Sequence, residues 1–308
     1  MASFPKTMPE FARRFNSEAA CLDYLVQLRW PDGVVCPHCG HPKLWQSGHV
    51  MECAACARKI RVMSGTIFQD THLPLQTWFR AIWWVVTQKN GASALGLKRN
   101  LGLSYRSTWN LLHKIRRAMV RTGRSRLEGR VEVDETYVGG LEEGVRGRKT
   151  EKKAVVLIAA QEDGKKIGRI RMRMVEDASA ENLLAFIGDN IEPGSTVHTD
   201  AWLGYTGVGA KGYTHRVSIL KQEGPEALPR VHLVASLLKR WILGTHQGAI
   251  GKVHLENYLD EFVFRFNRRT SGSRGKLFQR LMEQAVTTEP TTYAKITKHS
   301  RPYERQKG

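Results

Sequence analysis

Arg130–Val138, RVEVDETYV, and Ser195–Trp202, STVHTDAW, are the two stretches from which the fold is read. In the first, Val131 and Val133 fall on one face of a strand and Glu132 and Asp134 on the other, because strand side chains alternate with a period of two. In the second, Val197 and Thr199 alternate with His198 and Asp200, so a carboxylate again ends the less apolar side. Hard divalent cations prefer oxygen ligands, and two such carboxylates in a basic chain point to metal-dependent chemistry on a polyanion. Any single aspartate of this kind is more often an ordinary strand-end or turn residue. The rest of the chain decides between the two readings.

Working outward, strand-like runs at Val131–Val138, Ala154–Gln161 and Ile167–Met174 precede a helical run at Ala180–Ile187, and the strand ending in Asp200 follows. Two helical segments come next, Val231–Leu243 and His254–Arg269. On the first, Val234, Leu237, Leu238 and Trp241 form an apolar side, while His232, Ser236 and Lys239 share the opposite side. His232 is therefore not a core histidine, and it reads either as a ligand or as an exposed residue. Glu223 and Glu226, in the loop-like KQEGPEALP, compete with it as acids but have no fixed helical placement.

The 308 residues suffice for two or three domains, and Lys plus Arg outnumber Asp plus Glu by 48 to 29, a formal charge of +19. Counterion release makes a nucleic acid the leading class of partner. No apolar run is long enough to span a bilayer, and MASFPKTMPEF lacks a signal-peptide core, so a cytoplasmic, nucleoid-associated protein with no membrane partner is expected. The cysteine arithmetic agrees with that compartment. Cys36-x2-Cys39 and Cys53-x2-Cys56 have the spacing of a four-cysteine zinc ribbon, whose four thiolates leave no open position for water, so the Zn2+ is structural. Gly40 follows the first knuckle, whereas Ala57 follows the second. Cys21 lies outside the pattern and is expected to pack in the lead-in helix.

The expected organisation is a helical lead-in (1–33), the zinc ribbon (34–70), a helix-turn-helix (71–127), a sheet domain (128–289) and a basic tail (290–308). In the third segment Ser104 can cap a helix whose Tyr105, Trp109, Leu112, Ile115 and Met119 face a core. Arg106, Asn110, Lys114, Arg117 and Arg121 form its opposite, basic stripe, which reads either as a groove-entering face or as a solvated one. Arg265, Arg268 and Arg269 near the end of HLENYLDEFVFRFNRR could grip phosphates or compensate a helix C-terminus.

The order CPHCG, ECAAC, VEVDETYVGG, VHTDAWLGY, SLLKRWILGTHQG and HLENYLDEFVFRFNRR resembles bacterial insertion-sequence transposases of the DDE superfamily with an N-terminal zinc ribbon, of ISXO type, from about Pro9 to Ala285. The resemblance implies a multidomain α/β protein: zinc ribbon, helix-turn-helix, then an RNase H-like mixed sheet flanked by helices. It implies Asp134, Asp200 and His232 as the metal-binding set, with Lys239 as the accompanying basic residue; many relatives carry Glu or Asn where this chain has His232. It further implies phosphoryl transfer by two Mg2+ or Mn2+ ions about 3.5–4 Å apart, and it narrows the nucleic acid to double-stranded DNA, the terminal inverted repeats and target DNA, acted on as a homo-oligomer. The competing reading is a non-catalytic DNA-binding regulator whose sheet domain is a dimerisation platform.

Overall fold

In the computed structural model, residues 4–121, 123–140, 153–219, 222, 224, 227–248 and 250–298 are described. They form two compact units, one from residues up to Arg121 together with Ser271–His299, the other from Thr122–Thr270.

The first unit opens with α1 (Met8–Arg14) and α2 (Glu18–Arg29), two helices where one lead-in was expected. Ser17 divides them: its hydroxyl accepts the Ala20 amide, so it starts a new helix instead of continuing the old one. Cys21 is buried in α2, and burial pushes its thiol up to about 12. A three-stranded antiparallel ribbon follows, β1 (Leu44–Ser47), β2 (Val50–Cys53) and β3 (Lys59–Arg61). Then come α3 (Leu75–Thr87), α4 (Ala94–Leu101) and α5 (Tyr105–Ala118).

The same unit contains the C-terminal helix α9 (Arg274–Thr287), whose Phe278 ring lies 5.3 Å from Phe11, 5.5 Å from Phe15 and 5.7 Å from Phe79. This corrects the expected sheet domain of 128–289. A ring that is 1% exposed among Phe11 of α1, Tyr24 of α2 and Phe79 of α3 fixes its helix to that core, so the sheet unit closes at Thr270. Tyr293–Lys298, placed in the basic tail by sequence, is a short helix, α10; the tail beyond 298 lies outside the described residues.

The second unit is built on β4 (Arg130–Val138), β5 (Ala154–Asp163), β6 (Lys166–Val175), β7 (Thr196–Asp200) and β8 (Thr214–Ser218), in the order β6-β5-β4-β7-β8. The first three strands are antiparallel, while β7 and β8 run parallel to β4, which gives the mixed sheet of an RNase H-like fold. The two-residue alternation assigns the faces. Val131, Val133, Leu157, Ala159 and Val197 pack with α6 (Ala180–Asn190), and Val156, Ile158 and Ala160 pack under α7 (Pro229–His246) and α8 (Leu255–Phe266). Helix α8 also covers the edge strand: the Asn267 side chain accepts from the Ile170 amide and donates to its carbonyl, and Glu256 accepts from Met174 N. These bonds occupy part of the ladder that an edge strand would otherwise present.

Candidate functional site

Asp134 sits on central strand β4 opposite Ile158, and so on the face that α7 and α8 cover. The parallel register pairs Glu132 with His198; carried two residues further, it brings Asp134 level with Asp200 on the neighbouring strand. The alternation read from sequence thus puts both carboxylates on one face at one height. His232, in the first turn of α7, completes the group, with its Nε2 3.3 Å from Asp134 Oδ2. All three side chains are half-buried. Asp134 Oδ1 accepts from Glu135 N at 2.9 Å, and Asp200 Oδ1 from Trp202 N at 3.1 Å, so each carboxylate is steadied by a nearby backbone amide. Lys239 is exposed, seven residues beyond His232, or roughly 10 Å along the helix.

Sequence reasoning left two residues beside this group without a role. Glu132, on the same face as Asp134, is 4% exposed and its carboxylate takes three donors: Arg230 N at 2.7 Å, Val231 N at 3.0 Å and Arg230 Nη1 at 2.8 Å. Tyr205, in a short 3-10 turn at Leu203–Tyr205, is 1% exposed and donates from its hydroxyl to Glu135 Oε2 at 3.3 Å. Burial, and behind it the Glu135, Asp134 and Asp200 carboxylates, holds the phenol well above its ordinary value, so it stays a neutral donor. Gly204 permits this placement. A Cβ there would meet Leu183 Cδ1 and Trp202 Nε1, both at 2.7 Å. The signal available for Tyr205 was its place in HTDAWLGY. For Glu132 it was the two-residue step to Asp134. Glu223 and Glu226 lie outside the described residues.

In the ribbon, Cys36 Sγ lies 3.6 Å from Cys56 Sγ and Cys39 Sγ 3.6 Å from Cys53 Sγ, and the four sulfurs fall within 4.8 Å of one another. A tetrahedral zinc with ~2.3 Å bonds sets its sulfurs about 3.8 Å apart, so the quartet fits Zn2+. The two knuckles repeat one backbone pattern. Gly40 N donates to Cys36 O and Ala57 N to Cys53 O, while Cys36 N donates to His41 O and Cys53 N to Arg58 O. Donation from the His38 amide, ahead of the other influences, pulls the Cys36 thiol down to about 6, while Cys39 in the same cluster, despite donation from the His41 amide, is pushed up to about 12 by the Cys53 and Cys56 thiols, so the four sulfurs share their protons unevenly. Among the described residues this is the only group of three or more His, Cys, Asp or Glu whose ligand atoms all lie within 4.8 Å; Asp134, Asp200 and His232 do not close to that distance as a trio. Their donor chemistry, two carboxylates and an imidazole, suits Mg2+ or Mn2+, with the nitrogen favouring Mn2+.

The nucleic-acid residues need correction. Helix α4, a turn at Gly102 (φ 68) and α5, with Ser104 Oγ accepting from Ser107 N, form the expected helix pair. However, residues 111–116 of α5 are all buried, Lys114 among them at 7% exposure, and burial lowers its ammonium despite nearby Asp70. Asn110 and Arg117 are half-buried, whereas Tyr105, expected in the core, is 50% exposed. Helix α5 packs against α3, α4, α9 and α10, so more than one of its sides is covered and the far part of the basic stripe is taken in. Of the stripe, Arg106 at the start of α5, 4.3 Å over the Tyr293 ring, and Arg121 beyond its end are exposed, and Lys98 and Arg99 are exposed on α4.

Arg265, Arg268 and Arg269 are likewise engaged within the fold. Arg265 Nε donates to buried Glu261 at 2.9 Å, Arg268 stacks 4.0 Å over Phe264, and Arg269 donates to the Phe266, Gly168 and Ile167 carbonyls. The last two arginines compensate the C-terminus of α8, as the helix dipole favours.

Among the described residues no helix is long and apolar enough to cross a membrane. Residues 126–267 match the ISXO2-like transposase domain, and residues 16–59 match the transposase zinc-ribbon domain. A protein of the transposable element ISH50 from Halobacterium salinarum is 27% identical over 278 residues, 82% of this chain and 92% of the relative. Two solved structures overlap loosely, each at 13% identity. One is a chain of a simian T-cell lymphotropic virus intasome in complex with a PP2A regulatory subunit (TM-score 0.34, 61% of this chain and 70% of that one). The other is a chain of a pre-cleavage Mos1 transpososome (TM-score 0.28, 70% and 79%).

Proposed function

We infer that this chain, which joins the zinc ribbon and the ISXO2-like domain of insertion-sequence transposases, works as a metal-dependent DNA transposase: it nicks the ends of its element and joins the freed 3′-hydroxyl to target DNA. The observation that carries this reading is His232 Nε2 at 3.3 Å from Asp134 Oδ2, on the face and at the level where Asp200 ends its strand. Asp134, Asp200 and His232 would hold the divalent ions. When bound there, such ions supply activation of the attacking oxygen and stabilisation of the leaving one. The protein's own groups do the rest. Glu132 is saturated by three donors and leaves ligation to Asp134. Tyr205 donates to Glu135 and so restrains the acid that follows Asp134 in the chain. Exposed Lys239, two turns along α7, would meet a phosphate beside the site.

DNA would be held by Arg106, Lys98 and Arg99, at the end of α5 that a helix-turn-helix presents to a groove, and the protein would act as a homo-oligomer on its inverted repeats. The zinc would hold the ribbon folded, since that segment buries little else. A nicking assay on element-end DNA, with Mg2+ and Mn2+ compared, tests the site. Asp134→Asn should abolish cutting while binding persists, and His232→Ala should lower the rate by at least tenfold, more in Mg2+ than in Mn2+. Full activity in His232→Ala removes it from the ligand set. DNA binding by the wild-type chain with no cutting in either metal would mark a regulator instead.

A further inference from the structure

Helix α7 begins with Pro229 and its N-cap position, Leu228, supplies no side-chain acceptor. The first amides of a helix have no partner within it and must find one elsewhere. Here they find it 98 residues away in the chain. Glu132 Oε2 accepts from both Arg230 N (2.7 Å) and Val231 N (3.0 Å), and Oε1 accepts from Arg230 Nη1 (2.8 Å). The carboxylate is 4% exposed, so these bonds are what makes its burial tolerable, and the positive end of the helix adds to them.

The geometric consequence lies two residues on. Glu132 and Asp134 point from the same face of β4, and the residue after the second capped amide is His232, whose Nε2 meets Asp134 Oδ2. One strand therefore grips α7 twice, first through its backbone and then through the histidine. We propose that Glu132 is a positioning residue: by capping the first turn of α7 it sets the height and rotation at which His232 faces Asp134. This rests on the reading of Asp134 and His232 as a metal site. Glu162 supplies a built-in comparison, because it touches the same arginine, Nη2 to Oε1 at 3.3 Å, without capping the helix.

The test uses the full-length, zinc-loaded chain and Mn2+ alone, with binding followed by paramagnetic resonance and helix opening by amide hydrogen exchange. Partners of this kind alter metal affinity by about 10–100-fold when removed. Glu132→Ala should weaken Mn2+ binding by about tenfold and speed exchange at Arg230 and Val231. Glu132→Gln, which keeps an acceptor and guards against a failure to fold, should fall between it and wild type. Glu162→Gln should bind Mn2+ like wild type. Val234→Ala, a core change in the same helix, should lower Tm and leave the Mn2+ affinity unchanged. Unaltered Mn2+ affinity in both Glu132 variants overturns the proposal while Asp134→Asn still abolishes binding. Val234→Ala weakening Mn2+ as much as Glu132→Ala also overturns it, by making the effect one of general stability. If Asp134→Asn binds Mn2+ like wild type, the metal-site reading itself fails and takes the positioning role with it.

Discussion

Exchanging the residues that follow the two zinc knuckles should move zinc affinity in opposite directions. Gly40 (φ 71) and Ala57 (φ 54) both occupy the left-handed region, and each donates its amide to the first cysteine of its knuckle. That conformation costs an L-residue about 1–2 kcal/mol, because the Cβ crowds the following carbonyl. Glycine avoids the strain but loses about 0.5–1 kcal/mol more entropy on folding. Ala57→Gly therefore gains roughly 0.5–1 kcal/mol net. Since the ribbon folds around its metal, this corresponds to zinc held about two- to fivefold more tightly. Gly40→Ala should lose a comparable amount, and nothing but the dihedral is at stake, because a Cβ there meets no atom within 4 Å. The double exchange should return close to wild type. Competition with a chromogenic chelator on the full-length chain reads all three. An Ala57→Gly protein that releases zinc more readily than wild type would refute the strain argument, as would a neutral Gly40→Ala.

Phe278→Ala removes a ring that is 1% exposed among five aromatic neighbours and should destabilise the helical unit by about 3–5 kcal/mol in urea unfolding; a loss under about 1 kcal/mol would contradict the packing described. Arg106→Ala should weaken DNA binding at every sequence tested and reduce the slope of log K against log salt by about 0.9, measured by fluorescence anisotropy. Arg269→Ala should leave that slope unchanged while lowering stability, because its guanidinium serves backbone carbonyls. Equal slopes lost in both variants would restore Arg269 to the DNA surface.

The faces of the strands were legible in the chain because a period of two is a local property. Val131 and Val133 against Glu132 and Asp134 needed no partner strand to be assigned, and the Cys-x-x-Cys spacing was likewise enough to define a ribbon. The two faces of α7 followed from its helical period, with Val234 and Leu238 buried and Lys239 exposed. The basic stripe on α5 misled for the same reason that these succeeded. A period shows which residues share a side, but it does not show how many sides a bundle covers, and Lys114 is buried at 7% exposure on a side that periodicity left open.

What the sequence by itself determined is the set of short-range patterns: strand alternation, helix faces, ligand spacing, charge. The tertiary structure alone decided which distant groups meet. It gave Glu132 to the amides of Arg230 and Val231, brought His232 to Asp134, turned Tyr205 toward Glu135 and placed Phe278 in the N-terminal unit. Those pairings depend on sheet order and on where each helix crosses the sheet. The crossing points are set by the packing of whole surfaces, a sum over many weak contacts that no single motif carries.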